Sequence, residues 1–125
     1  MILDTNALSA LADGDLGEAP AMDDAGVLSL PVIVLGEYRF GIGGFRHHAR
    51  YEDWLARLVA VSRVLDVDEQ TAVRYAAIRR EQSDKGQPIP SNDAWIAALA
   101  RRHRLAVLSR DRHFDLVARI RRVAW

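Results

Sequence analysis

The sequence predicts an α/β domain built on a parallel sheet of four or five strands, flanked by helices. Three observations carry this. Short β-like runs alternate with helical stretches along the chain, the pattern of repeated strand–crossover–strand units. The 125 residues contain no repeat, low-complexity tract or long linker, which fits one domain spanning 1–125. Half of the residues are hydrophobic, enough for a core without staples.

Met1 to Leu3 is a very short first strand, and Thr5 to about Ala12 a helix with Leu8 and Leu11 inward. Asp13-Gly14-Asp15 breaks that helix. Gly26 to Leu30 is a second strand, and Pro31 suits the first turn of a helix to about Gly41. His47 to about Ser62 is amphipathic, with Trp54, Leu55, Leu58 and Val59 on one side. Val64 to Val67 is a third strand. Asp68 can cap a helix from Glu69 to about Asp84, which Gly86 stops. Pro88-Ile89-Pro90 is a rigid lead-in to a helix capped by Ser91 and running to about His103. Its run Ala94-Trp95-Ile96-Ala97-Ala98-Leu99-Ala100 is apolar or small on nearly every side, so it should be buried. Leu105 to Ser109 is a fourth strand, His113 to Ala118 one or two helical turns, and Arg121 to Trp125 a fifth, edge strand.

Composition narrows the chemistry. There is no cysteine, so disulfides and thiolate metal sites are excluded and any metal must be held by oxygen or imidazole. No apolar run reaches the roughly 18 residues of a membrane span, and the first residues lack the basic and apolar parts of a signal peptide. A cytoplasmic protein without membrane contact is expected. Residues 1–60 carry nine acids and four bases, and residues 61–125 eight acids and thirteen bases, so a neutral chain divides into parts of −5 and +5. All the bases but Lys85 are arginine, whose planar fork suits phosphate.

Four acids fall where open α/β sheets build sites, beyond the carboxyl ends of the strands. Asp4 directly follows the first strand and Asp111 lies just past the fourth. Asp93 sits in the first turn of the Ser91 helix. Glu37 lies within the Pro31 helix, among Ile33, Val34, Phe40 and Gly41 at helical spacing. An acid in such a stripe is costly to bury unpaired, so a positive group should face it. Each has an ordinary alternative: an ion pair of Glu37 with Arg39 or Arg79, the helix dipole for Asp93, and simple capping for Asp4 and Asp111. Jointly they can converge on one point. Carboxylates so placed repel unless a cation neutralises them, and Mg²⁺ or Mn²⁺ is the natural occupant. Such an ion lowers the pKa of bound water and stabilises charge on a phosphate.

Four segments carry a family resemblance. Ile2-Leu3-Asp4-Thr5-Asn6 resembles the opening motif of PIN domains, and Val34-Leu35-Gly36-Glu37 the second. Pro90-Ser91-Asn92-Asp93-Ala94-Trp95-Ile96-Ala97-Ala98 resembles the third, and Leu108-Ser109-Arg110-Asp111-Arg112-His113-Phe114 the fourth. They stand in family order across nearly the whole chain, and their form is most similar to VapC-type toxins. The resemblance implies a PIN-like fold and Mg²⁺- or Mn²⁺-dependent cleavage of RNA. It implies Asp4, Glu37, Asp93 and Asp111 as the acidic quartet, with Asp4, Asp93 and Asp111 on the metal, and Asn6 and Ser109 in support. It also implies a homodimer and a small antitoxin that blocks the site. The minimal first strand is a departure that bears on stability.

Asp115, one turn beyond Asp111, reads as supporting or solvated rather than as a ligand. The histidines form no ligand set, and His113, the one near the site, reads as a surface residue. Arg39, Arg79, Arg110 and Arg112 are the best-placed arginines for RNA phosphate. The apolar residues of 31–62 exceed what one thin sheet can cover, so part should form a dimer contact and part an antitoxin groove. A phosphotransfer fold is disfavoured because Lys85, the only lysine, precedes the fourth strand. A DNA nuclease of the flap type would be longer. A non-catalytic PIN-like binding module, or a PIN nuclease of RNA processing without an antitoxin, are the alternatives.

Overall fold

The structure, a computed structural model, describes residues 1–17 and 27–125. In chain order the elements are β1 (Ile2–Leu3), α1 (Thr5–Ala12), β2 (Ser29–Pro31), α2 (Val32–Ile42), α3 (His48–Ala60), β3 (Arg63–Leu65), α4 (Glu69–Asp84), α5 (Ser91–His103), β4 (Val107–Leu108), a 3-10 helix (Arg112–Leu116) and β5 (Arg122–Val123). The strands form one five-stranded sheet in the order β3-β2-β1-β4-β5, with every pair parallel. Buried on both faces, β1 and β4 are purely apolar: Ile2, Leu3, Val107 and Leu108 are all fully enclosed. The edges are two or three residues long and carry Arg63 and Arg122, features that discourage pairing with another chain.

This order positions the site. From β1 the chain lays β2 and β3 on one side, then crosses through α4 and α5 to place β4 and β5 on the other. The crevice beyond the carboxyl ends of β1 and β4 is therefore the topological switch point, where such sheets bind ligands. Ile2 pairs with Val107 and Leu3 with Leu108, so the residues following the two strands lie side by side.

The helices begin and stop for local reasons. Asp68 Oδ1 accepts the Thr71 N–H at 3.0 Å as a regular cap of α4, and also pairs with Arg102 of α5. Gly86, at φ 66°, supplies the left-handed turn that ends α4. The α5 stretch is buried as expected, through Ala94, Ile96, Ala97, Ala98, Leu99 and Ala100. Its small residues let α4 approach closely through Ile78 and Gln82, both buried.

Several expectations are corrected. The second strand is Ser29–Pro31 rather than Gly26–Leu30, and Gly26 lies outside the described residues. Pro31 closes that strand and occupies the position before α2, not its first turn. Ser91 does not cap α5: Pro90 stands there without a side-chain hydrogen bond, and Ser91 Oγ turns to the Tyr75 hydroxyl at 3.1 Å. The fourth strand shrinks to Val107–Leu108 because β1 offers only two residues to pair with. Most of the apolar residues of 31–62 fill the core: Val34, Leu35, Tyr38, Ile42 and Leu55 are buried, and Trp54, Leu58 and Val59 pack against them. Phe40, Val61 and Phe45, 89%, 74% and 51% exposed, are the excess. Among the described residues no helix is long and apolar enough to cross a membrane.

Candidate active site

Asp4 occupies the N-cap of α1, yet it does not behave as a simple cap. A capping carboxylate ordinarily serves the second or third helical N–H. Here Oδ1 accepts from the adjacent Thr5 N–H at 2.8 Å, while Oδ2 accepts from Ser109 Oγ at 2.7 Å and Asn6 Nδ2 at 3.2 Å. The side chain is thus drawn across to the segment after β4. It is only 5% exposed. Burial raises its pKa, the Asp111 charge adds to the rise, and the three hydrogen bonds oppose it.

Ser109 and Asn6 tie the two strand ends together. Ser109 Oγ, fully buried, donates to Asp4 while accepting from the Asp111 N–H at 2.9 Å and from Asn6 Nδ2 at 3.3 Å. Asn6 Oδ1 accepts the Arg110 N–H at 3.2 Å. Both residues, which the resemblance implies as supports, lie between Asp4 and the segment after β4.

Asp111 caps the 3-10 helix by accepting the His113 N–H at 2.9 Å. That turn brings the His113 ring back over the site, with Nδ1 2.9 Å from Asp111 Oδ1 and 3.1 Å from Asp93 Oδ2. Candidate ligand atoms of Asp93, Asp111 and His113 all lie within 4.8 Å of one another. Asp93, whose side chain is 14% exposed, is pushed up to about 6, first by burial and then by the Asp111 and Asp4 charges, against the pull of His113. The His113 pKa is raised, chiefly by its hydrogen bond to Asp93.

Carboxylates from three separate elements therefore feel one another at the switch point, with one imidazole among them. Asp93 and Asp111 form the tight part of the cluster; Asp4 lies behind them, joined through Ser109. His113, read from sequence as a surface residue, is the functional candidate that reasoning missed. The signal was the Asp111-x-His113 spacing, since a capping aspartate that takes the N–H two residues on brings that residue's side chain beside its carboxylate. Oxygen donors plus one ring nitrogen, with excess negative charge, fit a hard divalent cation.

Glu37 differs from expectation. It is exposed, not buried, and no cation faces it among the described residues. Its Oε1 accepts from Thr5 Oγ1 at 3.2 Å, which sets it at the rim one residue from Asp4. Neither arginine considered for it is its partner. Arg39 pairs with Glu52 of α3 at 3.4 Å, and Arg79 donates to the Ile89 carbonyl at 3.2 Å while leaning over the Tyr75 ring. Arg110 and Arg112 flank Asp111 and are exposed; the Arg110 guanidinium lies 4.6 Å above the Trp125 ring. Asp115 is held by both oxygens to Arg122, at 2.9 Å each. Arg122 also donates to the Ser109 carbonyl at 3.0 Å, so Asp115 supports the loop rather than facing the carboxylates.

An open parallel sheet with an acid cluster at its switch point defines a protein equipped to hold a divalent cation against a phosphate. The family follows from comparison: the PIN domain model matches residues 1–120, and the chain belongs to that family. It is 33% identical over 122 residues to the toxin FitB of Neisseria gonorrhoeae, covering 89% of this chain and 87% of the relative. It is 31% identical over 116 residues to the ribonuclease VapC5 of Mycobacterium tuberculosis, covering 90% and 84%. The DNA-bound VapBC structure from Salmonella typhimurium superposes with a TM-score of 0.87 at 26% identity, covering 99% of this chain and 96% of that one.

Proposed function

We propose that the protein is a Mg²⁺- or Mn²⁺-dependent endoribonuclease, a single PIN-like nuclease domain that acts in the cytoplasm as the toxin of a toxin–antitoxin pair. The observation that carries this is the convergence of Asp4, Asp93 and Asp111 at the switch point, where burial first and neighbouring acid charge after it raise the pKa of Asp4 and of Asp93. The names of the relatives, ribonuclease and toxin, support the same activity.

Asp93 and Asp111 would hold the ion, with Asp4 completing the set. Bound there, it would supply charge to a phosphodiester and lower the pKa of water. The remaining work belongs to the chain. Ser109, Asn6 and the Thr5 N–H keep the Asp4 carboxylate aimed and oppose its protonation. Glu37, held at one oxygen by Thr5, serves as the base that takes a proton from the attacking water. His113 Nδ1 bridges Asp93 and Asp111 and fixes their spacing. Arg110 and Arg112, beside Asp111, meet the phosphates next to the scissile bond, while Arg39 and Arg79 grip further along the strand.

Partners follow from the surface beside the site. A cavity of about 130 Å³ lies between α1 and α2, lined among others by Glu37, Tyr38, Phe45 and Tyr51. An apolar antitoxin segment would seat there and place a basic side chain against the acids. Phe40 would serve the homodimer. The test is cleavage of RNA by the purified protein with Mn²⁺, its loss in EDTA, and sequencing of the RNA ends after induced expression. A protein that cuts RNA but stays monomeric and copurifies with no small partner would keep the nuclease and remove the toxin.

A further inference from the structure

We infer that the end of the fold opposite the acidic site carries a second phosphate-binding surface, formed by Arg104, Arg119 and Arg121, that takes the backbone of the RNA. The inference rests on the nuclease reading only for the identity of the polyanion. A cavity of about 440 Å³ opens between the end of α5, the approach to β4 and the approach to β5, and four arginines line it. These four do not share one role. Arg101 is structural: its side chain is 8% exposed, meets Glu81 at 2.7 Å and donates twice to the Ala118 carbonyl. It thereby pins the segment that presents the others. Arg119 meets the same Glu81 at 3.0 Å, yet its side chain is 73% exposed. Arg104 and Arg121 are exposed and make no ion pair among the described residues. One acid is thus set against four guanidinium groups around one concavity.

Backbone preference does not explain these residues. Arg104 (φ 54°) and Arg119 (φ 63°) both occupy the left-handed region, where glycine or asparagine is the easier choice. Uncompensated guanidinium forks in a concave site attract phosphate oxygens. Several forks across an open cavity suit successive phosphates of a chain better than one small anion.

The placement also suits an RNA already held at the acids. α5 runs from Asp93 at the acidic end to Arg104 at the cavity, about 16 Å at roughly 1.5 Å per residue. That length spans several successive phosphates of an RNA backbone. The edge strand β5 joins the two ends, with Arg110 over Trp125 at the acidic end and Arg121 just before β5 at the other.

The test measures binding of a labelled RNA hairpin by fluorescence anisotropy in EDTA, across a salt series, so that no cleavage is needed. The double variant Arg104→Asn, Arg121→Gln removes the two unpaired forks, and asparagine tolerates the left-handed backbone. The expected result is a fall of about 1.5–2 in the slope of log K against log salt and a roughly 10–100-fold weaker Kd at low salt. Arg104→Asn combined with Arg121→Lys should recover about half of the lost slope, and Mn²⁺-dependent cleavage of a dinucleotide, too short to reach the cavity, should be unchanged. An unchanged slope in the double variant, or in Arg121→Gln alone should the double fail to fold, overturns the inference. So does a thermal shift with inorganic phosphate that the double variant abolishes while RNA binding stays as in the wild type, since the site then takes a free anion. A slope change in a protein that cuts no RNA supports this surface and removes the nuclease reading instead.

Discussion

Replacing Asp93 by asparagine should abolish cleavage and yet stabilise the protein when divalent metal is removed. The carboxyl is pushed from 3.8 to about 6 by burial and by the neighbouring acids. A carboxyl whose folded pKa lies above its unfolded one destabilises the fold once ionised. Stability is highest below about pH 4, falls as pH rises through 6, and levels off above that. At about 1.4 kcal/mol per pH unit, and with solvent screening of a half-buried group, the penalty at pH 8 is on the order of 2 kcal/mol. Asparagine removes it but makes a weaker hydrogen bond to His113, costing about 1 kcal/mol. The net gain is on the order of 1 kcal/mol, or a Tm rise of roughly 3–6 °C in a chain of this size. Scanning calorimetry in EDTA at pH 8 and pH 4.5 reads this directly: Asp93→Asn should melt above the wild type at pH 8 and lose that advantage at pH 4.5. Saturating Mn²⁺ should reverse the order, because only the wild type gains binding energy. A variant less stable than the wild type at pH 8 in EDTA would refute the electrostatic reasoning.

Two further predictions are independent of that carboxyl. Ser109→Ala leaves the Asp111 N–H and one Asp4 oxygen without their buried partner. It should cost about 1–3 kcal/mol in urea unfolding and lower the cleavage rate about 10–100-fold through misplaced acids. Glu81 has its pKa lowered, first by the hydrogen bond from Arg101, so its contribution is present above the ordinary carboxylate range and is lost as pH falls below it. The stability gap between wild type and Glu81→Gln should therefore be open at pH 7 and close on acidification, as followed by thermal melts.

Local signals in the sequence suffice where one residue decides an element. Asp68 and Gly86 bound α4 at Glu69–Asp84, and the Asp13-Gly14 break ends α1 at Ala12. Strand lengths are less legible, because a strand is as long as its partner allows, and β1 limits β4 to two residues. Glu37 is exposed despite its apolar neighbours, because helical spacing alone does not reveal that Gly36, Arg39 and Phe40 are exposed on the same helix. Asp4, Asp93 and Asp111 stood out because each lies at the end or start of an element. The bonds that hold Asp4 to Ser109 join residues 105 apart in the chain, and no local pattern encodes such a contact. His113 needed the geometry of the Asp111 cap before its ring could be placed between two acids.

Measuring Mn²⁺ binding and RNA cleavage on the same preparation tests the central claim most directly. Metal is stripped with EDTA, removed by dialysis, and returned in steps while bound Mn²⁺ is followed by electron paramagnetic resonance and RNA cutting by gel. The proposed mechanism predicts that the cleavage rate tracks Mn²⁺ occupancy, and that Asp93→Asn and Asp111→Asn lose both together. Cleavage that persists in EDTA, or that survives in either variant without bound Mn²⁺, would contradict it.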